Sequence, residues 1–268
     1  MKKVVQSIHR AWSWFLDALF PPKCIICKQE GAWLCPQHRK FSPAPPNEAS
    51  FEYLENIHAA VKYYDPTTEK LVELFKFRGF TQLADIMAEE IILRVGKDFF
   101  MNSILVPIPL HWTRKFWRGF NQADLIAQAL QKRIPEAQIQ HLLKRHKRTF
   151  QQAKLSREAR LQNIRDAFSF SSPFGKSEGK SALGGQGDLN PSNSPFQGER
   201  NKNLPLFESE RSSPQSRGPS PSLLKREGRY ILIDDVVASG ATLNAAAKVL
   251  KQCGVSRVDA VVFARGGK

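Results

Sequence analysis

The sequence has no uninterrupted apolar stretch of the roughly 18 residues that a membrane-crossing helix needs, so no transmembrane helix is expected. Residues 1–22, MKKVVQSIHRAWSWFLDALFPP, begin with lysines but lack the continuous apolar region and small-residue cleavage site of a signal peptide. Their apolar positions recur at helical spacing, which predicts an amphipathic helix over residues 1–20. This helix is expected to pack on its own protein, with binding to a membrane surface as the alternative. The expected compartment is the cytoplasm.

Acidic residues are scarce relative to basic ones. The 268 residues include 40 Lys and Arg against 25 Asp and Glu, which gives a net charge of +15. Such a surplus favours anionic partners, namely nucleic acid, phosphorylated small molecules or acidic lipid. It is concentrated in residues 111–165, with 13 basic and 3 acidic residues. Aromatic residues are interspersed there at Trp112, Phe116, Trp117, Phe120 and Phe150.

Cysteine is also scarce, and three of the four cysteines lie together. The segment CIICKQEGAWLCPQH has the pattern C-x2-C, seven residues, then C-x2-H. A disulfide framework is not expected without a secretion signal. Two close pairs of thiolate and imidazole ligands on turns suit a tetrahedral Zn²⁺. The spacing therefore predicts a structural zinc-ribbon-like module over residues 21–45, with free thiols as the alternative; its ligands are Cys24, Cys27, Cys35 and His38.

Strands and helices alternate after a proline-rich linker at residues 41–50. Strands are predicted at 57–64, 103–109, 229–235 and 257–264, and helices at 65–79, 81–96, 121–133, 156–168 and 242–253. The alternation predicts an α/β domain over residues 51–268 with a mostly parallel sheet flanked by helices. Residues 171–228 are rich in Ser, Pro, Gly and charge, and carry a degenerate repeat. This segment is predicted to be a disordered insertion in the domain, with a functional tether or docking segment as the alternative.

The segment YILIDDVVASGATL (230–243) combines an apolar strand, two carboxylates, a loop of small residues and a helix. A tight loop at a helix N-terminus directs backbone N–H groups and the helix dipole at one point, which makes an anion site. Adjacent carboxylates can accept hydrogen bonds from vicinal hydroxyls and hold Mg²⁺. There is no P-loop motif and no G-x-G-x-x-G. The pattern indicates a phosphorylated ribose, with an ordinary turn capped by Asp235 as the alternative.

This segment resembles the phosphoribosyl-pyrophosphate (PRPP) motif of type I phosphoribosyltransferases. The resemblance implies that Asp234 and Asp235 are the catalytic acids that hold the ribose hydroxyls, with Mg²⁺ as the cofactor. It assigns the phosphate to Ala238, Ser239, Gly240, Ala241 and Thr242. Ala238 departs from the threonine that is frequent in the family.

The remaining motifs are similar to those of the ComF family. They are RGFNQ at 118–122, the series R-x-T-x-x-Q-x-x-L with Thr149, Gln152 and Leu155 and with Lys147 at its first position, the R-x-x-N and AF that follow it, and the N-terminal cysteine module. His38 stands where a cysteine is usual. The resemblance implies a phosphoribosyltransferase-fold protein that binds PRPP or a ribose-5-phosphate ligand and is associated with DNA uptake in natural competence. The alternatives are a non-catalytic accessory protein that binds single-stranded DNA or a competence helicase, and a nucleobase-salvage phosphoribosyltransferase.

The basic block has three open interpretations. By position in the fold, Arg114, Lys115 and Arg118 are candidates for diphosphate contacts, because guanidinium groups pair well with phosphate oxygens. A hood over the site is expected from Arg145, Arg148, Thr149 and Gln152. Basic groups interleaved with aromatics equally suit single-stranded nucleic acid. The third interpretation is a solvated basic face with Trp112, Trp117 and Phe120 in the core.

Overall fold

The computed structural model describes residues 21–46, 49–77, 79–146, 167–171 and 228–266. The helix predicted over residues 1–20, and all but the two end residues of the insertion predicted at 171–228, lie outside this range. No helix among the described residues is long and apolar enough to span a bilayer.

Seven strands and five α-helices form the regular structure of the described residues, together with a 3₁₀ turn at Asp98–Phe100. The strands are β1 (Ile57–Lys62), β2 (Ile104–Pro107), β3 (Gln138–Ile139), β4 (Leu143–Arg145), β5 (Phe168–Phe170), β6 (Tyr230–Val237) and β7 (Val258–Arg265). The helices are α1 (Pro66–Phe77), α2 (Leu83–Val95), α3 (Trp112–Arg118), α4 (Gln122–Arg133) and α5 (Ala241–Gln252).

A five-stranded sheet in the order β1-β7-β6-β2-β3 organises the fold, and every neighbouring pair in it is parallel. The strands β4 and β5 form a separate antiparallel pair. The central strand β6 pairs with β7 along its length, from Tyr230 to Val237. Its pairing with β2 ends earlier, at Ile233.

The two faces of the sheet are covered by different elements, as the alternation of side chains along β6 shows. Ile231 and Ile233 pack in one hydrophobic cluster with apolar residues of α1, α2 and α4. Leu232 packs in a second cluster with α5 and with the β4–β5 pair. A parallel sheet covered on both faces has strands that read as continuous apolar runs. The predicted α/β class, a mostly parallel sheet flanked by helices, is confirmed.

Several predicted boundaries are confirmed by local hydrogen bonding and others are wrong. Oδ1 of Asp65 accepts the N–H groups of Thr67 (3.0 Å) and Thr68 (3.3 Å), so Asp65 caps α1 at the predicted start of this helix. The helix predicted from residue 81 begins instead at Leu83, as α2, without a side-chain cap. The cap is absent because the residue that precedes the helix is Gln82, whose own backbone is helical.

The short elements were not predicted. The strands β3, β4 and β5 have two or three residues each, too few to show an alternating pattern. Phe168, the last residue of the helix predicted at 156–168, begins β5, so that helix cannot extend to it; residues 156–166 lie outside the described range. The segment between β2 and α4, for which no helix or strand was predicted, contains the seven-residue helix α3.

Candidate functional site

The carboxyl ends of β2 and β6 form a topological switch point. From β2 the chain runs through α4 to β3 on one side, and from β6 it runs through α5 to β7 on the other. Because neighbouring connections diverge in this way, α/β sheets bind ligands in the crevice beyond these strand ends. Pairing between β2 and β6 ends at Pro107 and Ile233, so Asp234 and Asp235 are the first residues of β6 beyond it. The predicted acid pair therefore lies at the ligand-binding edge of the sheet.

The acid pair is held within the strand and not in the loop after it, because β6 continues to Val237. The alternation along β6 puts Asp235 on the face of Ile233 and Asp234 on the face of Leu232. Asp235 is 7% exposed and Asp234 is half-buried. The N–H of Asp235 donates to Oδ1 of Asp234 (2.9 Å), which orients that carboxylate.

Two cations from distant elements act on the acid pair. Nζ of Lys76, in the last turn of α1, lies 3.0 Å from Oδ2 of Asp235. Burial of Asp234, followed by the charge of Asp235, raises the pKa of Asp234 from 3.8 to about 7. The positive charges of Lys76 and Arg145 act in the opposite direction on that pKa. Arg145, predicted as a hood residue, therefore lies near the acids.

The loop at Ala238–Gly240 leads directly into α5. Gly240 has a φ of +74°, a left-handed conformation that side chains disfavour. A Cβ at this position would lie 2.5 Å from the ring of Phe51, so packing also requires glycine here. Gly240 provides no side chain to cap α5, and the first turn of α5 has no acidic residue. The first N–H groups of α5, beside the exposed Ser239 and the half-buried Thr242, thus lie at the end of a 12-residue helix whose dipole favours anions. One of them, the N–H of Ala241, donates to Oγ of Ser239 (3.5 Å).

The diphosphate candidates lie on α3, which follows β2. The guanidinium of Arg118 lies over the ring of Phe77, 5.1 Å from its centroid, and its NH1 donates to Oε1 of Gln122 (3.2 Å). Phe77 directly follows Lys76, so Arg118 lies at the same end of α1 as the cation that pairs with Asp235. The structure describes the backbone of Arg114 and Lys115 but not their side chains; Arg148, Thr149 and Gln152 lie outside the described residues.

The aromatic residues of the basic block divide between core and surface. Phe120 packs against the core, with its ring centroid 6.1 Å from that of Phe75. Phe116 and Trp117 are 81% and 86% exposed, and Phe77 is 69% exposed. The interpretation that placed Trp117 in the core is therefore wrong, because α3 is a surface helix at that position. We call Phe77, Phe116, Trp117 and Arg118 the aromatic rim.

The predicted zinc ligands come together. The sulphur atoms of Cys27 and Cys35 are 3.8 Å apart, and Nδ1 of His38 lies 3.2 Å from Sγ of Cys35 and 3.8 Å from Sγ of Cys24. All four ligand atoms lie within 4.8 Å of one another. Thiolates around zinc at ~2.3 Å would be roughly 3.8 Å apart in a tetrahedron. The Cys₃His cluster is compatible with a structural zinc.

The backbone around Cys24 favours the thiolate form of this ligand. Burial acts to raise the pKa of Cys24, but hydrogen bonds from the N–H groups of Cys35, Cys27 and Ile26 outweigh it and lower this pKa to about 6. A thiolate is the form that binds zinc. Lys28 has a φ of +66°, which lets the turn after Cys24 close. The thiol of Cys253 is apart from this cluster and is buried at the end of α5.

The N-terminal module is joined to the α/β domain by a common core. Cys24, Ile25, Leu34 and Cys35 belong to the same buried cluster as α1, α2 and α4. The rings of Trp33 and Phe80 are in edge-to-face contact, 5.1 Å apart. Glu89 of α2 accepts hydrogen bonds from Arg39 of the module and from Arg133 of α4. The module therefore packs directly on the helices that cover one face of the sheet.

Sequence reasoning missed two residues of the site, Lys76 and Phe51. Lys76 is one of many lysines, and its position in the last turn of a helix is the only signal in the sequence. Phe51 lies in a segment without periodicity, yet its ring fills the space beside Gly240. Both contacts join segments that are far apart in the chain, and local sequence patterns do not predict such contacts.

Comparison with known proteins supports the resemblance noted from the motifs. Residues 197–268 match the phosphoribosyl transferase domain family; the match begins within the predicted insertion. The chain is 24% identical over 210 residues to competence protein F of Haemophilus influenzae, covering 76% of this chain and 71% of that protein.

The second group of relatives covers less of the chain. The DNA utilization protein YhgH of Salmonella typhimurium is 31% identical over 120 residues, and that of Escherichia coli K12 is 28% identical over 116 residues. These matches cover about two fifths of this chain, and the chain spans about half the length of either YhgH protein. The resemblance to the ComF family and the phosphoribosyltransferase-like fold are confirmed.

Proposed function

We propose, from the relationship to competence protein F and the phosphoribosyltransferase domain, that this chain binds PRPP or a related ribose-5-phosphate compound. The observation that carries the proposal is the position of the acid pair. Asp234 and Asp235 lie beyond the end of β2 at the switch point, and the N-terminus of α5 follows the last two residues of β6 and a three-residue loop. Carboxylates for a diol and N–H groups for a phosphate thus come from one short segment.

Each part of the site has a distinct task in this proposal. The amides of Ala238–Thr242 bind the 5′-phosphate, with hydroxyl donors from Ser239 and Thr242. The carboxylates of Asp234 and Asp235 accept hydrogen bonds from the ribose hydroxyls. Arg118 and Arg145 stabilise the negative charge of the diphosphate, the group that would leave in a transfer reaction.

Two metals fit the described side chains. The adjacent carboxylates of Asp234 and Asp235 at the edge of the sheet are hard oxygen ligands of the kind that Mg²⁺ binds together with substrate phosphates. When bound, Mg²⁺ supplies neutralisation of diphosphate charge. The Cys₃His cluster would hold a zinc with a structural role, because four protein ligands leave no open position. The proposed location of the protein is the cytoplasm.

Calorimetric titration of the zinc-loaded full chain with PRPP tests the function. Binding is expected with Mg²⁺ present, and the double variant Asp234→Asn/Asp235→Asn should abolish it. Asp65→Asn removes a carboxylate from the cap of α1, where asparagine caps equally well, and should bind as the wild type does. Absence of any PRPP or ribose-5-phosphate binding by the wild type with Mg²⁺ present would refute the proposal.

A second candidate function is binding of single-stranded DNA in the course of DNA uptake. The observation in its favour is the aromatic rim, whose Phe116 and Trp117 are more than four-fifths exposed within a strongly basic block. Bases stack on exposed aromatic rings while basic groups pair with the backbone. This role does not require catalysis and agrees with an accessory protein that also contacts a helicase. No described feature favours salvage of a particular nucleobase.

Fluorescence anisotropy with a labelled oligothymidine, measured across a salt series, tests the second candidate. Trp117→Ala should weaken binding about fivefold or more, since stacking contributes about 1–3 kcal/mol per base. Tyr64→Ala removes another exposed aromatic ring, 57% exposed, away from the basic block and serves as the control. Equal affinities of Trp117→Ala and wild type, or no binding at low salt, would argue against this function.

A further inference from the structure

Lys76 occupies the side of the acid pair that faces α1. Its ammonium lies 3.0 Å from Oδ2 of Asp235, and the two side chains are only 22% and 10% exposed. In the other lysine ion pairs of the described residues the carboxylate partner is 45–60% exposed; in the pair Lys70–Glu73 of the same helix, the side chains are 44% and 52% exposed. An ion pair with little solvent exposure is a stronger electrostatic feature than a surface one. Lys76 is thus set apart from the surface lysines.

Two adjacent carboxylates, one buried and one half-buried, require a positive charge nearby, because their mutual repulsion and desolvation otherwise oppose ionisation. Lys76 supplies this charge from α1. It holds the position beside Asp235 that a divalent cation would take if the carboxylates were metal ligands. A metal ion bound by Asp235 and the ammonium of Lys76 would therefore compete for Oδ2 of Asp235.

We propose that Lys76 is the resident counterion of the acid pair and that it moves to the diphosphate when the magnesium complex of PRPP binds. This inference rests on the proposed function. The diphosphate offers several anionic oxygens, and a lysine ammonium has three donors on a flexible four-carbon stem. The metal replaces the ammonium at Asp235, and the ammonium gains a phosphate partner. The charge of Lys76 remains paired in both states.

The packing of α1 supports a movement of the side chain alone. Leu71, Val72 and Phe75 are fully buried in the core, so the helix itself is fixed. Lys76 is at the last turn of the helix, next to the exposed Phe77 on which Arg118 lies. A swing of the Lys76 ammonium toward the crevice would bring it to the side where Arg118 is proposed to contact the diphosphate.

The position of Lys76 favours the metal–PRPP complex over the free metal ion. Free Mg²⁺ has to displace Lys76 without providing a new partner for it, whereas the metal–PRPP complex provides one. The wild type should therefore bind the free ion weakly and the complex well. A residue with this role is a positioning and selectivity residue for the ligand complex.

The test uses Mn²⁺ as a spectroscopic substitute for Mg²⁺ and the zinc-loaded full chain. Free Mn²⁺ is measured by electron paramagnetic resonance as protein is titrated, with no PRPP present. Lys76→Met is expected to bind Mn²⁺ at least tenfold more tightly than the wild type. In calorimetry, the same variant should bind PRPP with Mg²⁺ at least tenfold more weakly. Lys70→Met, from the same helix, should behave as the wild type in both measurements.

Two further variants keep the test decisive. Lys76→Gln is also neutral and can still donate to Asp235, so it replaces Lys76→Met if that variant does not fold; Lys76→Arg keeps the charge and should keep Mn²⁺ binding weak. Unchanged Mn²⁺ affinity in the neutral variants would overturn the counterion role. Unchanged PRPP affinity in them would overturn the movement to the diphosphate. If the wild type binds no PRPP at all, the proposed function fails, while the Mn²⁺ measurement still decides the counterion role.

Discussion

Asp234 should destabilise the folded protein at neutral and alkaline pH, and Asp234→Asn should remove that cost. The folded structure raises the pKa of this carboxyl from 3.8 to about 7, through burial and then the charge of Asp235. The folded protein therefore holds a proton that the unfolded chain releases between these two values. Stability contributed by the protonated form is present below about pH 4 and is lost as the pH rises toward 7. Asparagine resembles the protonated form at every pH and keeps an oxygen to accept the N–H of Asp235.

The size of the expected gain in stability follows from the size of the pKa shift of Asp234. A change of roughly three pKa units at 1.36 kcal/mol each gives at most about 4 kcal/mol at pH 8. At pH 5.5, where the unfolded carboxyl is ionised and the folded one is protonated, the same linkage gives about 2 kcal/mol. For a domain of this size each kcal/mol shifts the melting temperature by about 2–4 °C. Asp234→Asn should thus raise the melting temperature by at most roughly 8–16 °C at pH 8, and by about half as much at pH 5.5.

Thermal unfolding of the zinc-loaded protein, followed by circular dichroism at both pH values, measures this difference. Asp65→Asn is the control for loss of one negative charge, and its melting temperature should change little and equally at both pH values. The reasoning is refuted if Asp234→Asn gains the same amount at pH 5.5 and pH 8, or if it is less stable than the wild type at pH 8. A confirmed gain would mean that the site sacrifices stability for function.

Three other predictions concern packing. Gly240→Ala should lower stability by at least about 1–2 kcal/mol, from its left-handed backbone alone, and Phe51→Ala in the same chain should recover the part due to the ring contact, as measured by denaturant titration. Cys24→Ser should lose bound zinc, measured by atomic emission, and should lower the melting temperature of the whole domain because its side chain is fully buried in the common core. Glu89→Gln should cost less than about 1 kcal/mol in the same titration, because its side chain is 40% exposed and exposed ion pairs contribute little.

The order of strands and helices could be predicted because each of the long elements carries its own signal. Asp65 before Pro66 marked the start of α1, and the apolar run from Tyr230 to Ile233 marked β6. The zinc ligands were predictable for a similar reason, since both pairs have the same spacing within a short segment. In these cases the interactions that fix the structure are local in sequence.

The parts that could not be predicted depend on contacts between distant segments. The pairing of Lys76 with Asp235 joins α1 to β6, and nothing in either segment specifies the other. Trp117 illustrates a second limit, because an aromatic residue in a basic segment suits both a core and a binding surface. Its exposure is decided by the direction of a seven-residue helix, which the sequence does not encode through any periodic pattern.

The central position of β6 has a consequence for hydrogen exchange. Amides in the first half of this strand are enclosed between β2 and β7, and strands of this kind open only when the whole domain unfolds. Beyond Ile233 only β7 remains as a neighbour, and Ala238 and Ser239 are exposed. Exchange protection should therefore fall sharply within a few residues, at the acid pair itself. Ligand binding would then slow amide exchange in the loop and in the first turn of α5. The first half of β6, which already exchanges only through unfolding of the whole domain, would show no such change.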